Sequence, residues 1–240
     1  MLHVPRLRHE HGLQLDPDVS SAPVVTSLSA GAELRTTGFG GMAAVVCVNG
    51  GQATEAAGTW SASLEWLVRR LAPQFPRLQF GEVRYRIKSW RKLDWCIEDA
   101  RAAVHALAAP RTLLVGFSMG GAVATQAADE PTVQTVVGLA PWLPERLPLD
   151  ALRGRRLRII HGALDRWLPG IPGVSPTGSR AGFERARALG VEGEYTLIPG
   201  ALHGVAVRAH WGHAFPLPRA ATWARLVGEE LARFQAGQAG

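Results

Sequence analysis

Gly116-Phe117-Ser118-Met119-Gly120 spells Gly-x-Ser-x-Gly, directly after the apolar run 111–117 and directly before the small, apolar segment Gly120 to Ala128. A serine on a sharp strand-to-helix turn is held in a strained backbone with its hydroxyl exposed, beside the partial positive charge of a helix N-terminus. The positions two before and two after it crowd one another, which calls for glycine at 116 and 120, and Gly121 eases the packing of helix on strand. Such a serine can act as a nucleophile, provided a neighbouring base takes its proton.

The chain has eight histidines. His3, His9 and His11 lie in an irregular N-terminal stretch, His105 lies mid-helix, and His161 ends a strand just ahead of an acid. His203 stands in Gly200-Ala201-Leu202-His203-Gly204, immediately past the strand-like run 193–200. That position, at the carboxyl edge of a sheet, makes His203 the expected general base. Asp165, in His161-Gly162-Ala163-Leu164-Asp165, follows the run 155–162 in the same way. Its expected work is to accept a hydrogen bond from the imidazole, fix the tautomer and stabilise the imidazolium. Asp94, Glu98 and Asp99 read as the polar face of a helix, Asp150 lies in a loop, and Asp129 and Glu130 end a helix. His210 and His213 are three apart, but no nearby carboxylate or cysteine completes a ligand set, so no metal and no cofactor is expected.

Acyl transfer also needs donors aimed at a developing oxyanion. The backbone N–H of Met119 is one. The second falls in Val48-Asn49-Gly50-Gly51-Gln52, where paired glycines let the backbone approach a substrate. Gly51 is the first choice there and Gln52 the next. Phe117, Trp142, Trp167 and Leu202, with Met119, also fall near strand carboxyl ends. Two readings stand side by side for them, an apolar acyl pocket and plain core.

The elements that must position these residues alternate. Residues 24–37 suggest an opening hairpin. Residues 41–48, 82–87, 111–117, 132–140, 155–162 and 193–200 read as strands, several of them continuous apolar runs buried on both faces. Helical stripes lie between them: Leu64, Leu67, Val68 and Leu71; Ile97, Ala100, Val104 and Leu107; residues 180–189 with Ser179 as N-cap; and a closing helix carrying Trp223, Leu226, Val227, Leu231 and Phe234. The pattern predicts an α/β fold, a mostly parallel sheet between two helical layers, with ligands bound beyond the strands' carboxyl ends.

A length of 240 residues fits a single domain, with 1–23 as an irregular N-terminal segment. Apolar residues at 47% and charged residues at 19% describe a globular chain, not a disordered one. No apolar run is long enough to span a membrane, and the N-terminal residues lack a signal-peptide core. Cys47 and Cys96 are expected as free thiols, which suits a reducing cytoplasm. The net charge is +6, and only Lys88 and Lys92 among the 26 basic residues are lysines. The arginines are scattered and not interleaved with aromatics, so neither nucleic acid nor membrane is an expected partner.

VCVNGG, GFSMGG, HGALD and GALHG together resemble the oxyanion loop, nucleophile elbow, acid loop and base loop of the α/β-hydrolase family, and the likeness runs over most of the chain. RYRIKSW, LAPWLP and HGALDRW look like a compact group of bacterial hydrolases. The order Ser118…Asp165…His203 is the family's order. Asn49 departs from the family's usual histidine. The family commonly inserts a helical lid after its sixth strand, and residues 140–156 leave no room for one. Residues 168–178 and the N-terminal segment are candidates to cover an otherwise open site. The resemblance implies a serine hydrolase acting on a small-molecule ester or thioester. Two other readings share these residues: a biosynthetic acyltransferase or cyclase, and a binding protein on a hydrolase scaffold. Oligomeric state is not legible.

Overall fold

A computed structural model describes residues 22–165 and 173–237. Trp167, most of the N-terminal segment 1–23 and residues 168–172 of the suggested covering loop lie outside them.

The chain opens with the antiparallel hairpin β1 (Val24–Ser27) and β2 (Glu33–Thr37). β3 (Ala44–Val48) is buried along its whole length and leads to α1 (Ala62–Leu71). β4 (Gln79–Arg84), α2 (Leu93–Leu107), β5 (Thr112–Phe117) and α3 (Met119–Gln126) follow. Then come β6 (Val133–Leu139), β7 (Arg156–Gly162), α4 (Pro176–Ala188), β8 (Glu192–Ile198), the short β9 (Ala206–Arg208) and β10 (Ala214–Pro216), and α5 (Ala220–Ala236). Eight strands form one sheet in the order β1-β2-β4-β3-β5-β6-β7-β8, parallel from β4 through β8 and antiparallel at β1 and β2. β9 and β10 pair separately.

Successive side chains of a strand point to opposite faces, and both faces here are covered. Val46 and Val48 of β3 pack with α2, α3 and α4, around Cys96, Val104, Ala122 and Phe183. Val45 and Cys47 pack with α1 and α5, around Leu64, Leu67, Trp223 and Leu231. The continuous apolar runs follow from this double burial. α3 is buried on nearly every side, so its small residues bring it close to the sheet and plant its first turn at the end of β5.

Four details differ from expectation. The strand expected at 82–87 lies three residues earlier, at Gln79–Arg84, where it pairs with β2 and β3. α4 begins earlier than 180: Ser175, not Ser179, is its N-cap, accepting from the Gly178 N–H at 3.4 Å, because Pro176 at the first helical position is already set for helix. Asp99 is fully buried; its carboxylate takes both the backbone N–H and the guanidinium of Arg86, at 2.9 and 2.7 Å. The β9–β10 hairpin has no counterpart in the sequence reading, since three-residue strands show no period.

Candidate active site

β5 runs straight into α3, and Ser118 is the single residue between them. Its backbone sits at φ 56°, ψ −120°, a region that a non-glycine residue occupies only when its surroundings impose it. They do. The Ser118 N–H donates to the Leu139 carbonyl at 2.9 Å, and its carbonyl accepts from the Gly121 and Trp142 N–H groups at 2.9 and 2.8 Å. The expected need for glycines is met in detail. A Cβ at Gly116 would lie 2.1 Å from the Gly120 carbonyl oxygen, and one at Gly120 would lie 2.3 Å from that of Val48. A Cβ at Gly121 would strike Pro141, just past β6, at 2.3 Å.

Asp165 and His203 meet. Asp165 follows β7, His203 follows β8, and the two loops are joined by backbone bonds from Ala163 to Ile198 and from Leu164 to Ala201, each 2.9 Å. Gly162 lets them touch, because a Cβ there would lie 2.3 Å from the Leu202 carbonyl. The His203 Nδ1–H donates to Asp165 Oδ2 at 2.6 Å. The Asp165 carboxyl is buried, which alone would push its pKa up, but the hydrogen bonds it accepts from His161 and His203 hold it below the ordinary carboxylate range. The His203 ring lies against Phe117, the residue before Ser118, with centroids 5.1 Å apart. Among the described residues no hydrogen bond closes between Ser118 Oγ and His203. In sites without substrate such bonds are commonly long.

The loop after β3 passes directly over the elbow. A Cβ at Gly50 would lie 3.2 Å from Ser118 Cβ. Asn49, standing where a histidine is usual, is buried and braces the loop. Its Nδ2 donates to the Thr59 carbonyl at 2.8 Å, its Oδ1 accepts from the Gly50 N–H at 2.7 Å, and its carbonyl accepts from the Tyr85 hydroxyl at 2.9 Å. This uses up the Gly50 N–H. The N–H groups of Gly51 and of Met119, the latter first in its helix, have no acceptor among the described residues. The Gln52 side chain turns to Thr54 at 2.9 Å.

The pocket candidates divide. The Met119 side chain is core, fully buried beneath Gly51. Phe117 and Leu202 are half-buried, and Trp142 is half-buried and stacked on Trp90 with ring centroids 6.3 Å apart. Trp90, which the sequence reading missed, also abuts Gly51, at 3.0 Å from where a Gly51 Cβ would stand, and its backbone N–H donates to the Gln52 carbonyl at 3.0 Å. Only the motif-like RYRIKSW segment hinted at it. Also missed was Ser63 of α1, which clasps the segment just after His203 from below: its Oγ accepts from the Val205 and Ala206 N–H groups at 3.0 and 3.1 Å and donates to the Ala206 carbonyl at 3.0 Å.

Neither cysteine competes as a nucleophile. Both are buried and free; burial drives the Cys47 thiol well up and that of Cys96 to about 12. A thiolate, not a thiol, would be needed.

No protein-family model matches the chain, and no curated protein matches it in sequence. Its shape does match solved structures. Est1E from Butyrivibrio proteoclasticus aligns over 90% of this chain and 100% of its own, with TM-score 0.67 and 11% identity. An alpha-beta serine hydrolase homologue from Coxiella burnetii aligns over 89% of this chain and 98% of its own, with TM-score 0.63 and 16% identity. The Pyrococcus furiosus esterase Pf2001 covers 97% of both chains, with TM-score 0.62 and 17% identity. The chain has the α/β-hydrolase fold. In this fold Ser118 stands between β5 and α3, Asp165 follows β7 and His203 follows β8, and the segment from β6 to β7 carries a single 3-10 turn, Asp150–Leu152.

Proposed function

We propose that the protein is a serine hydrolase that cleaves a carboxylic ester or thioester of a small molecule through an acyl-serine intermediate. The observation that carries this reading is the Asp165–His203 hydrogen bond of 2.6 Å, presented against Phe117 beside a serine held at φ 56°. Because Nδ1 of His203 is spent on Asp165, Nε2 is the nitrogen free to face Ser118. In the first step His203 Nε2 takes the Ser118 proton while Oγ attacks the acyl carbon. The oxyanion is received by the Met119 and Gly51 N–H groups. His203 then returns the proton to the departing alkoxide or thiolate, and water, deprotonated by the same nitrogen, releases the acid and the serine. The fold neighbours named as an esterase and as a serine hydrolase homologue support a hydrolase in the broad sense.

Labelling with a fluorophosphonate, followed by mass-spectrometric mapping of the modified peptide, tests it. The expected adduct is on Ser118, absent in Ser118→Ala. A folded wild-type protein that stays unlabelled overturns the nucleophile assignment.

A further inference from the structure

Asp165 does not serve His203 alone. Its Oδ2 also lies 2.8 Å from Nε2 of His161, which is completely buried, and its Oδ1 accepts the Val174 N–H at 3.1 Å. The same His161 Nε2 lies 3.0 Å from the Val174 carbonyl oxygen. A nitrogen placed between a carboxylate and a carbonyl faces two acceptors, so it must carry the proton. On the other side of the ring, Nδ1 is 2.7 Å from the hydroxyl of Ser179 in α4, which is itself 3.0 Å from the Tyr195 hydroxyl of β8. The Ser179 hydroxyl has two acceptors in reach, Nδ1 and, farther off at 3.1 Å, the Pro176 carbonyl; with the Tyr195 hydroxyl donating to that carbonyl at 3.0 Å, the Ser179 proton is free for the shorter contact to Nδ1. Among the described residues, the charged and titratable groups around His161 are Asp165, His203, Tyr195 and, over the Tyr195 ring at 4.1 Å, Arg180.

We propose that His161 is a positioning residue of the active site: its Nε2–H shares Asp165 Oδ2 with His203, pins the carboxylate's rotamer and draws off part of the charge that His203 would otherwise feel. The inference rests on the serine-hydrolase reading for its catalytic consequence, but not for the hydrogen-bond geometry itself. Ser179 and Tyr195 lock the tautomer that makes the sharing work. Without the second donor, the whole carboxylate charge on Oδ2 falls to His203. Its imidazolium form is then favoured, and a higher pH is needed to free the base.

Two measurements test this, and they separate it from the hydrolase reading. Imidazole 15N spectra of the wild-type protein report the tautomer with no substrate. The expected result is a His161 proton on Nε2, and a neutral ring protonated on Nδ1 overturns the proposal. The second measurement compares wild type, His161→Gln and His161→Leu. It follows the acid limb of kcat/KM for an ester the enzyme cleaves and, independently, the low-field proton between His203 and Asp165 as pH is varied. Glutamine can still donate to Oδ2 and keeps the wild-type limb, whereas leucine moves it to higher pH by about half a unit or more. A leucine variant that is less stable but has an unmoved limb makes His161 merely structural and overturns the proposal. If leucine prevents folding, Ser179→Ala, which unlocks the tautomer, is expected to give a smaller shift in the same direction, and no shift overturns it. Should the fluorophosphonate experiment fail, the proton spectra still decide the point.

Discussion

Ser118 sits in a conformation that costs about 1–3 kcal/mol, and the bonds to Leu139, Gly121 and Trp142 hold it there. The elbow is therefore sensitive to single methyl groups. Gly120→Ala would push a Cβ into the backbone carbonyls of Val48 and Asn49, at 2.3 and 2.7 Å, and backbone cannot yield as a side chain can. A loss of about 1–3 kcal/mol or more is expected in urea denaturation, together with loss of fluorophosphonate labelling. If the variant is as stable and as reactive as wild type, the close approach of elbow and oxyanion loop is wrong. Ser118→Ala and His203→Ala should each lower kcat by about 10³-fold or more, and the double variant should be hardly worse than either, since the two act as a unit. Additive losses in steady-state kinetics would contradict a shared proton transfer. At this scale the motif residues were legible because their spacing is dictated by one local turn. His161, Ser63 and Trp90 were not, since each owes its role to a partner far along the chain or to a ring it happens to meet.

Among the elements, the strands were the most readable, because burial on both faces writes itself as an uninterrupted apolar run. The start of α4 was misplaced by a few residues: Ser175 and Ser179 are both plausible caps by type, and only the position of Pro176 separates them. Asp99 looked like solvent-facing helix, and what overrode that reading is Arg86, brought onto α2 from just beyond β4. The β9–β10 hairpin is short, exposes Val207, Trp211 and Phe215, and turns at Gly212 with φ 91°. It is fastened to α1 through Ser63 and through the Arg208–Glu65 ion pair at 3.1 Å. Since His203 lies three residues before this hairpin, α1 bears on its position. Ser63→Ala would strand two buried N–H groups and is expected to cost about 1–3 kcal/mol, measured as a fall in urea midpoint at unchanged m-value. It should also lower kcat more than it raises KM, and an unchanged kcat would show that the hairpin does not steady His203.

For the whole molecule, many of the arginines that make the chain basic are tied down one by one. Arg35 is held by Glu65 and Glu82, Arg156 by Glu230, and Arg101 by Asp129 and Glu130. This agrees with their scatter in the sequence. Global stability should carry a signature of Asp165. The unfolded chain protonates this carboxyl near the ordinary value of about 3.9, and the folded chain only below its usual range. Across that interval the unfolded state binds more protons, so the stabilisation from Asp165 is whole above about pH 5 and is lost as pH falls through the folded value. The difference in unfolding free energy between wild type and Asp165→Asn should therefore shrink as pH is lowered from about 6 to about 3. A difference that does not vary with pH would mean that the carboxylate is not held by charge.

Gly162 separates the Asp165 loop from the His203 loop by less than the width of a methyl group, and the β7–β8 ladder continues into both. The spacing of Asp165 and His203 is thus inherited from the sheet and not from either loop's own preferences. The walls around the serine, by contrast, come from the segments after β3, β4 and β6. Those walls can change, and with them the molecules admitted, while the sheet keeps Asp165 and His203 at the same spacing.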